Sequence, residues 1–511
     1  MSLKKNIIAS YISQIYVTVI GIVMVPLYLK YMGAEAYGLI GFFAMLQACF
    51  NLLDMGLTPT MARESARFRG GALDALTYLR LVRALEGVFL AVAVLSCGSL
   101  LLLSTQIATN WLTAKQLPIS EVKNSIQIMA IIISLRWMCG LYRGQISGSE
   151  RLVSLSVYNV LIATIRFVGV LSVLNFISVS PTSFFMYQLC AAFIELVGLF
   201  VMSYRLLPSI PRGERVAWSY APLKPVLKFS LAIAFTSLVW VMVTQTDKLV
   251  LSKILTLAEY GYFTLAVLVA SGIMVISGPV SGAIMPRMTK LEAEGDYVGV
   301  IRVYRQSTQL VTIIASSVAV TLSLCAEPLL WAWTGDRVLA QHVAPVLILY
   351  AIGNGILAVA AFPYYLQYAK GNLRLHLIGN AGFVIFLIPS IIFAAQKYGG
   401  IGAGYVWLVM NIINFIFWVP FVHSKVEPGI NRQWFCRDIG VASVVVIAVG
   451  YLLSLVTPQM NSRWGQVGVL MGFGIVLLLA GAGTSPIVWK RLKFTTVDSG
   501  QYRKEIVDES N

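Results

Sequence analysis

Charge is what this chain has least of. Lys, Arg, Asp and Glu make up 12% of its 511 residues, about half the roughly 25% of a soluble globular protein, so a soluble fold of this length is excluded. Histidine is nearly absent: His342, His376 and His423 are too far apart in sequence to form a metal motif. A Walker A sequence, a zinc-protease motif and a nucleotide-binding glycine loop are all missing, which leaves no basis for nucleotide hydrolysis or for a bound cofactor or metal. Five of the six cysteines, Cys49, Cys97, Cys139, Cys190 and Cys325, fall in apolar runs, and Cys436 falls outside them. That distribution implies neither a disulfide framework nor a metal cluster. Polar stretches long enough for a soluble domain are absent too. The longest connectors, about 59–82, 204–225 and 285–307, are short and basic.

What is present is apolar sequence, at 58% hydrophobic residues and a mean hydropathy of +0.79. It divides into fourteen spans: 7–29, 37–58, 83–108, 124–142, 152–174, 183–203, 226–246, 261–284, 308–326, 341–363, 375–395, 402–422, 440–457 and 466–489. Each is near the roughly 20 residues a helix needs to cross the hydrocarbon core; barrel strands would be far shorter. The first is a full span without a small-residue cleavage site, so it reads as a membrane helix and not as a cleavable leader. Cut this way, twenty-eight of the thirty-eight Lys and Arg fall on one side, eight on the other and two inside spans. The excess is the positive-inside signature; it predicts a multi-pass inner (plasma) membrane protein with both termini cytoplasmic. The same placement accounts for the net charge of +16 through head groups and insertion bias, without nucleic acid.

The expected fold class is all-α and polytopic, with about fourteen transmembrane helices. An internal repeat refines it. Lys30 leads through a short turn into Ala36-Tyr37-Gly38, a glycine-bearing span and Pro59; Lys253 leads likewise into Glu259-Tyr260-Gly261, a similar span and Pro286. The economical reading is an N-terminal six-helix lobe over 1–210, a second over 211–425, two additional helices over 426–489 and a polar tail over 490–511. Because six is even, the copies would be related by an axis along the membrane normal and would leave a cavity between them, as alternating access requires. Trp111, Trp331, Trp333, Trp434, Trp464 and Trp489 sit at or near span ends, where indoles anchor among head groups. Pro26, Pro345 and Pro389 inside spans permit bends.

Ionisable groups inside spans cost several kcal/mol in lipid and normally face a polar interior. Arg136 lies about 10 Å from the cytoplasmic end of span four, Arg166 about 20 Å above that of span five, and Glu195 near the middle of span six. Helical spacing gives them neighbours seven residues away: Arg143 for Arg136, Asn159 for Arg166, Gln188 for Glu195. A polar, net positive lining follows, suited to an anionic substrate bound by Arg136, Arg143, Arg166, Asn159 and Gln188. The alternative is structural, with Arg166 and Glu195 neutralising each other while Arg136 reaches toward head groups. Ser10, Gln14 and Thr18 make a stripe on span one, and Ser237, Trp240, Thr244 and Asp247 another on span seven; either lines the cavity or joins helices. Asp54, Glu86, Glu195 and Asp247 are the candidates for proton or sodium coupling, though Glu86 can equally pair with Arg80 or Arg83.

Asn6 and Gln14 ahead of Pro26, then Gly33-Ala34-Glu35-Ala36-Tyr37-Gly38-Leu39 and Leu53-Asp54-Met55-Gly56-Leu57, resemble the opening of the bacterial polysaccharide flippases, which translocate O-antigen and capsule lipid-linked oligosaccharides. Thr246-Asp247-Lys248 with Glu259-Tyr260-Gly261-Tyr262 resembles the start of their second lobe. The wider superfamily includes multidrug exporters and the peptidoglycan lipid II flippase, and the resemblance extends over about residues 1–420. It implies transport, not enzymatic chemistry: an undecaprenyl-diphosphate-linked oligosaccharide turned from the cytoplasmic to the periplasmic leaflet for surface polysaccharide synthesis, with a polymerase or assembly protein as a possible partner. No family motif matches the arginines, whose assignment rests on chemistry and depth. Fourteen spans are more than many such flippases have and resemble the lipid II member. Two other readings stand beside it: an ion-coupled small-molecule (multidrug) exporter, whose cavity would depend on acids such as Asp54 and Glu195, and a non-transporting membrane scaffold for glycan assembly.

Overall fold

The computed structural model describes residues 3–54, 56–209, 223–458 and 460–485; the tail over 490–511 and Trp489 lie outside them. The described residues are helical, with the single β-type contact an isolated parallel bridge between Thr113 and Thr256. In chain order the helices are α1 (Leu3–Phe50), α2 (Leu57–Arg69), α3 (Ala75–Gln106), α4 (Ile119–Gly148), α5 (Leu152–Thr164), α6 (Val170–Phe176), α7 (Pro181–Tyr204), α8 (Leu223–Ile254) and α9 (Leu257–Ala293). They continue with α10 (Tyr297–Leu324), α11 (Ala326–Thr334), α12 (Arg337–Ala360), α13 (Phe362–Ala369), α14 (Arg374–Ile413), α15 (Val419–Val426), α16 (Ile430–Gln433), α17 (Val441–Val456) and α18 (Arg463–Gly483).

Eleven segments are long and apolar enough to cross a membrane among the described residues. Two of them, of 47 and 53 residues, have length for two crossings each, since about 20 residues suffice for one. Each is interrupted by a glycine at positive φ, Gly33 (φ 81°) in α1 and Gly399 (φ 57°) in α14. A residue with a Cβ is strained there, so these glycines are where one crossing ends and the next begins. With α8 a further helix of 32 residues, the architecture is compatible with fourteen crossings. The chain is a multi-pass membrane protein. Large apolar side chains such as Leu95 and Leu102, 72% and 84% exposed, are unsuited to water and suit lipid contact.

Helix starts follow capping chemistry. Asp74, Ser180, Asp296 and Asp336 accept from the amides of Thr77, Ser183, Gly299 and Leu339 at 2.8–3.2 Å, each worth about 1 kcal/mol. The Thr77 amide also holds the Asp74 carboxyl below the usual carboxylate range.

Contacts divide the chain into two units, Met1–Leu265 with Val384–Gly402, and Ala266–Phe383 with Ala403–Asn511. Within the first, the two copies of the repeated Tyr-Gly pair meet. A Cβ on Gly261 would come within 2.7 Å of the Ala34 carbonyl and 3.1 Å of the Gly38 amide nitrogen, and a Cβ on Gly38 would overlap the Leu257 carbonyl. The glycines of the repeat are therefore packing glycines. Nearby, the buried Glu35 carboxylate accepts from the amides of Lys115, Gln116 and Leu117 at 2.8–2.9 Å, and the Leu257 amide donates to the Thr113 carbonyl at 2.9 Å.

Within the second unit, α10 packs against α12, α17 and α18. Asp438, fully buried, accepts from Arg305 Nε at 2.6 Å, Arg305 Nη2 at 3.0 Å and Gln309 Nε2 at 2.8 Å. Trp434 is a correction to the expected row of anchors. It is buried against His423 and Tyr304, with its N–H donated to Thr308 Oγ1 at 3.0 Å. Trp464, 84% exposed, fits the anchor role.

Removing the carboxylate in Asp438→Ala strands a guanidinium and an amide. The expected loss is roughly 3 kcal/mol, the low end for a broken buried pair because Arg305 is a quarter exposed. A thermal unfolding midpoint of the solubilised protein unchanged from wild type would contradict this.

Candidate functional site

α7 presents Phe185, Gln188, Ala192, Glu195 and Leu199 at spacings of three and four, all buried, which makes one continuous face. That face packs on α4. Arg136 Nη2 donates to Gln188 Oε1 at 3.2 Å and Arg143 Nη2 to Glu195 Oε1 at 2.5 Å. Both pairs are 52 residues apart, so the two helices run parallel and in register. Glu195 spans both guanidiniums, because its other oxygen lies 3.9 Å from Arg136 Nε. Arg136 is also held from α1: Nη1 donates to Gln47 Oε1 at 3.2 Å, and the guanidinium lies 5.4 Å from the Phe43 ring centre. Its side chain is 6% exposed, against 35% for Arg143.

Arg166 reaches the site by a different device. After α5 the chain widens into one π-turn, Ile165–Gly169, which breaks the i→i+4 ladder and leaves carbonyls to be satisfied elsewhere. Three side chains supply the donors: Tyr187 OH to the Ile165 carbonyl at 2.9 Å, Gln188 Nε2 to the Arg166 carbonyl at 3.0 Å, and Tyr28 OH to the Phe167 carbonyl at 2.6 Å. Gln188 thus ties the side chain of Arg136 to the backbone of Arg166. The Arg166 guanidinium lies 4.3 Å from the Phe167 ring centre.

These elements enclose a cavity of about 410 Å³, within the range of ligand pockets. Ser10, Ser13, Gln14 and Thr18 of α1 line one wall; Ser156, Asn159 and Arg166 form another; Arg143 and Glu195 close it. Three guanidiniums gather around one carboxylate, leaving two positive charges in excess. Asn159 Oδ1, Glu195 Oε2 and Arg136 Nε are buried without a hydrogen-bond partner; the latter two face each other at 3.9 Å, and of the three residues Asn159 and Glu195 line the wall.

Of the residues expected to bind substrate, Arg143, Asn159 and Arg166 line the cavity, while Arg136 and Gln188 stand immediately behind it. The structural alternative took a different form from the one expected. Glu195 pairs with Arg143 and Arg136, not with Arg166, and Arg136 is buried instead of reaching outward. The polar stripe of α1 faces the cavity. Of the four acids, Glu195 alone is among the lining residues. Asp54 accepts from the Thr58 amide at 3.2 Å and hydroxyl at 2.6 Å. Glu86 accepts from Tyr142 at 3.2 Å and from Tyr204 at 2.9 Å. Asp247 accepts from the Lys248 amide at 2.8 Å, with Lys248 Nζ at 3.3 Å. Sequence reasoning missed Gln47, Tyr28, Tyr187 and Ser13. A lone glutamine in the apolar run Phe42 to Phe50 was the signal for Gln47.

A family model described as polysaccharide biosynthesis protein matches residues 3–292. The Shigella flexneri protein named "Putative O-antigen transporter" is 20% identical over 430 residues, covering 81% of this chain and 96% of its own length. A solved structure of the lipid II flippase MurJ in an inward closed conformation superposes with a TM-score of 0.70 at 15% identity, covering 96% of this chain and all of that one. An inward-facing multidrug resistance transporter of the MATE family, in the MOP superfamily, gives 0.64 at 14% identity, covering 82% and 99%. At these identities the two structures share the fold with this chain.

Gln188→Leu removes an acceptor from Arg136 and a donor from the Arg166 carbonyl. It should destabilise by about 2 kcal/mol or more, since each buried group left unsatisfied costs about 1–3 kcal/mol. Asn159→Ala, whose buried oxygen has no partner to lose, should cost less than about 1 kcal/mol. Equal unfolding midpoints for the two variants would contradict the relay assigned to Gln188.

Proposed function

The chain belongs to the polysaccharide biosynthesis protein family, and on that premise we propose that it carries a lipid-linked oligosaccharide from the cytoplasmic to the periplasmic leaflet for surface polysaccharide synthesis. The cargo is an undecaprenyl-diphosphate-linked glycan. The excess of guanidinium over carboxylate in the cavity between α1, α4, α5 and α7 carries this reading. Arginine offers planar, permanently charged donors to phosphate oxygens, and in a low-dielectric wall each such contact is stronger than in water. An exporter of small organic cations would need the opposite balance, with acids outnumbering arginines.

The energetic need is plain. Taking a diphosphate and several sugars through hydrocarbon unpaired is prohibitive. A polar groove removes most of that cost while the prenyl tail stays in lipid. A cavity of about 410 Å³ accommodates the diphosphate and the first sugar, with the rest of the glycan toward the aqueous side.

Alternating access of the two six-helix lobes, 1–210 and 211–425, would move the site from one side to the other. Both termini face the cytoplasm of the inner membrane in this scheme, and the arginine-rich end of the site opens toward the leaflet where the glycan is assembled. Coupling to protons or sodium is assigned to Glu195 before Asp54, Glu86 and Asp247, because it alone of the four borders the cavity. A polysaccharide polymerase would take the product on the far side.

The test is the lipid-linked oligosaccharide of a strain without this chain, measured for amount and for the fraction an impermeant probe reaches from the periplasm. Cytoplasm-facing intermediate should accumulate, and wild type should clear it. Arg143→Gln with Arg166→Gln should clear it at least about tenfold more slowly at equal protein level, since each lost charge-assisted bond is worth about 1.5–3 kcal/mol. Full clearance by the double variant would sink the assignment, and unchanged amount and sidedness without the chain would sink the function.

A further inference from the structure

We infer that Glu195 is the resident counter-anion of the cavity, and that a phosphate of the cargo replaces it on Arg143. The inference rests on the anionic-cargo reading above and adds to it a residue that sets which charge the site accepts.

Three observations converge on Glu195. It is 5% exposed and yet borders the cavity, so its charge is sustained by the arginines and not by water. Its two oxygens are used unequally: Oε1 takes a short bond from Arg143, whereas Oε2 faces Arg136 Nε at 3.9 Å without a hydrogen bond. The two arginines are also unequal. Arg136 is fixed by Gln47, Gln188 and Phe43, while Arg143 is about one-third exposed and faces the cavity. One arginine is a fixed partner for Glu195 and the other an exchangeable one.

The exchange conserves hydrogen bonds. When Arg143 turns to an incoming phosphate oxygen, Glu195 keeps Arg136, whose Nε still has a bond to give. The phosphate gains Arg143 together with Arg166, for which no side-chain hydrogen bond or ion pair is found among the described residues. Charge is matched as well. Three guanidiniums against one carboxylate leave two positive charges, and a diphosphate diester brings one negative charge on each phosphate. A phosphate diester brings only one and leaves the site unbalanced. Glu195 therefore tunes the site to diphosphate-linked cargo and, by returning to Arg143, helps to expel it.

The experiment uses the full-length protein in nanodiscs with two water-dispersible probes, a short-chain prenyl diphospho-N-acetylglucosamine and the matching prenyl phospho-N-acetylglucosamine. Wild type should bind the first at least tenfold more tightly. Glu195→Gln should bind the diphosphate probe roughly tenfold more tightly than wild type and translocate it more slowly, so that binding and transport move in opposite directions; a purely structural Glu195 would weaken both. If Glu195→Gln does not accumulate, Glu195→Gln with Arg136→Gln removes the carboxylate together with the buried charge that needs it. The same tightening is expected of that pair. Wild-type binding that requires Arg143 and Arg166, with no tightening in either variant, overturns the counter-anion role and leaves the cargo reading standing. Absence of binding to wild type overturns both. UDP-N-acetylglucosamine carries the same diester without a prenyl tail, and equal affinity for it would assign the site to a nucleotide sugar and overturn the lipid-linked cargo.

Discussion

A single carboxylate holds this site together. Glu195 sits between Arg136 and Arg143 where α4 and α7 pack, and each of those guanidiniums would be costly to bury without it. The parallel register of α4 on α7 follows from the same contact, because the pairs Arg136 with Gln188 and Arg143 with Glu195 share one offset along the two chains. From that register Gln188 reaches the π-turn and fixes the backbone of Arg166. Loss of Glu195 would therefore affect charge balance, helix register and the third arginine together.

The architecture was legible because it depends on one variable, hydropathy along the chain. Apolar runs of about 20 residues admit few alternatives to helices in lipid, and the repeated Tyr-Gly pairs marked positions that the fold brings into contact at Gly38 and Gly261. The cavity was partly legible for a related reason. A residue such as Arg136, Arg166 or Glu195 inside a span has to face polar company, and helical spacing then assigns Arg143, Asn159 and Gln188 to the same surroundings.

What could not be read was the choice of partner. The structural alternative would pair Glu195 with Arg166, whereas packing of α7 on α4 brings Arg143 and Arg136 to it. The π-turn was equally hidden, since it exists because Tyr28, Tyr187 and Gln188 arrive from other helices to satisfy its carbonyls. The expected tryptophan anchor Trp434 failed for the same reason. Thr308 offers its N–H a partner in the interior, so the indole has no need of head groups. Asp54 and Glu86 are coupling candidates in sequence, Glu86 with Arg80 or Arg83 as its alternative partners; in the fold they bond to Thr58 and to Tyr142 and Tyr204.

The most direct measurement is an experimental structure of the full chain in a lipid bilayer with a diphosphate-linked prenyl sugar bound. The account places phosphate oxygens about 2.7–2.9 Å from guanidinium nitrogens of Arg143 and Arg166, with the Arg143 to Glu195 bond broken and Glu195 closer to Arg136. Cargo bound elsewhere, with Arg143 still joined to Glu195 at 2.5 Å, would contradict it.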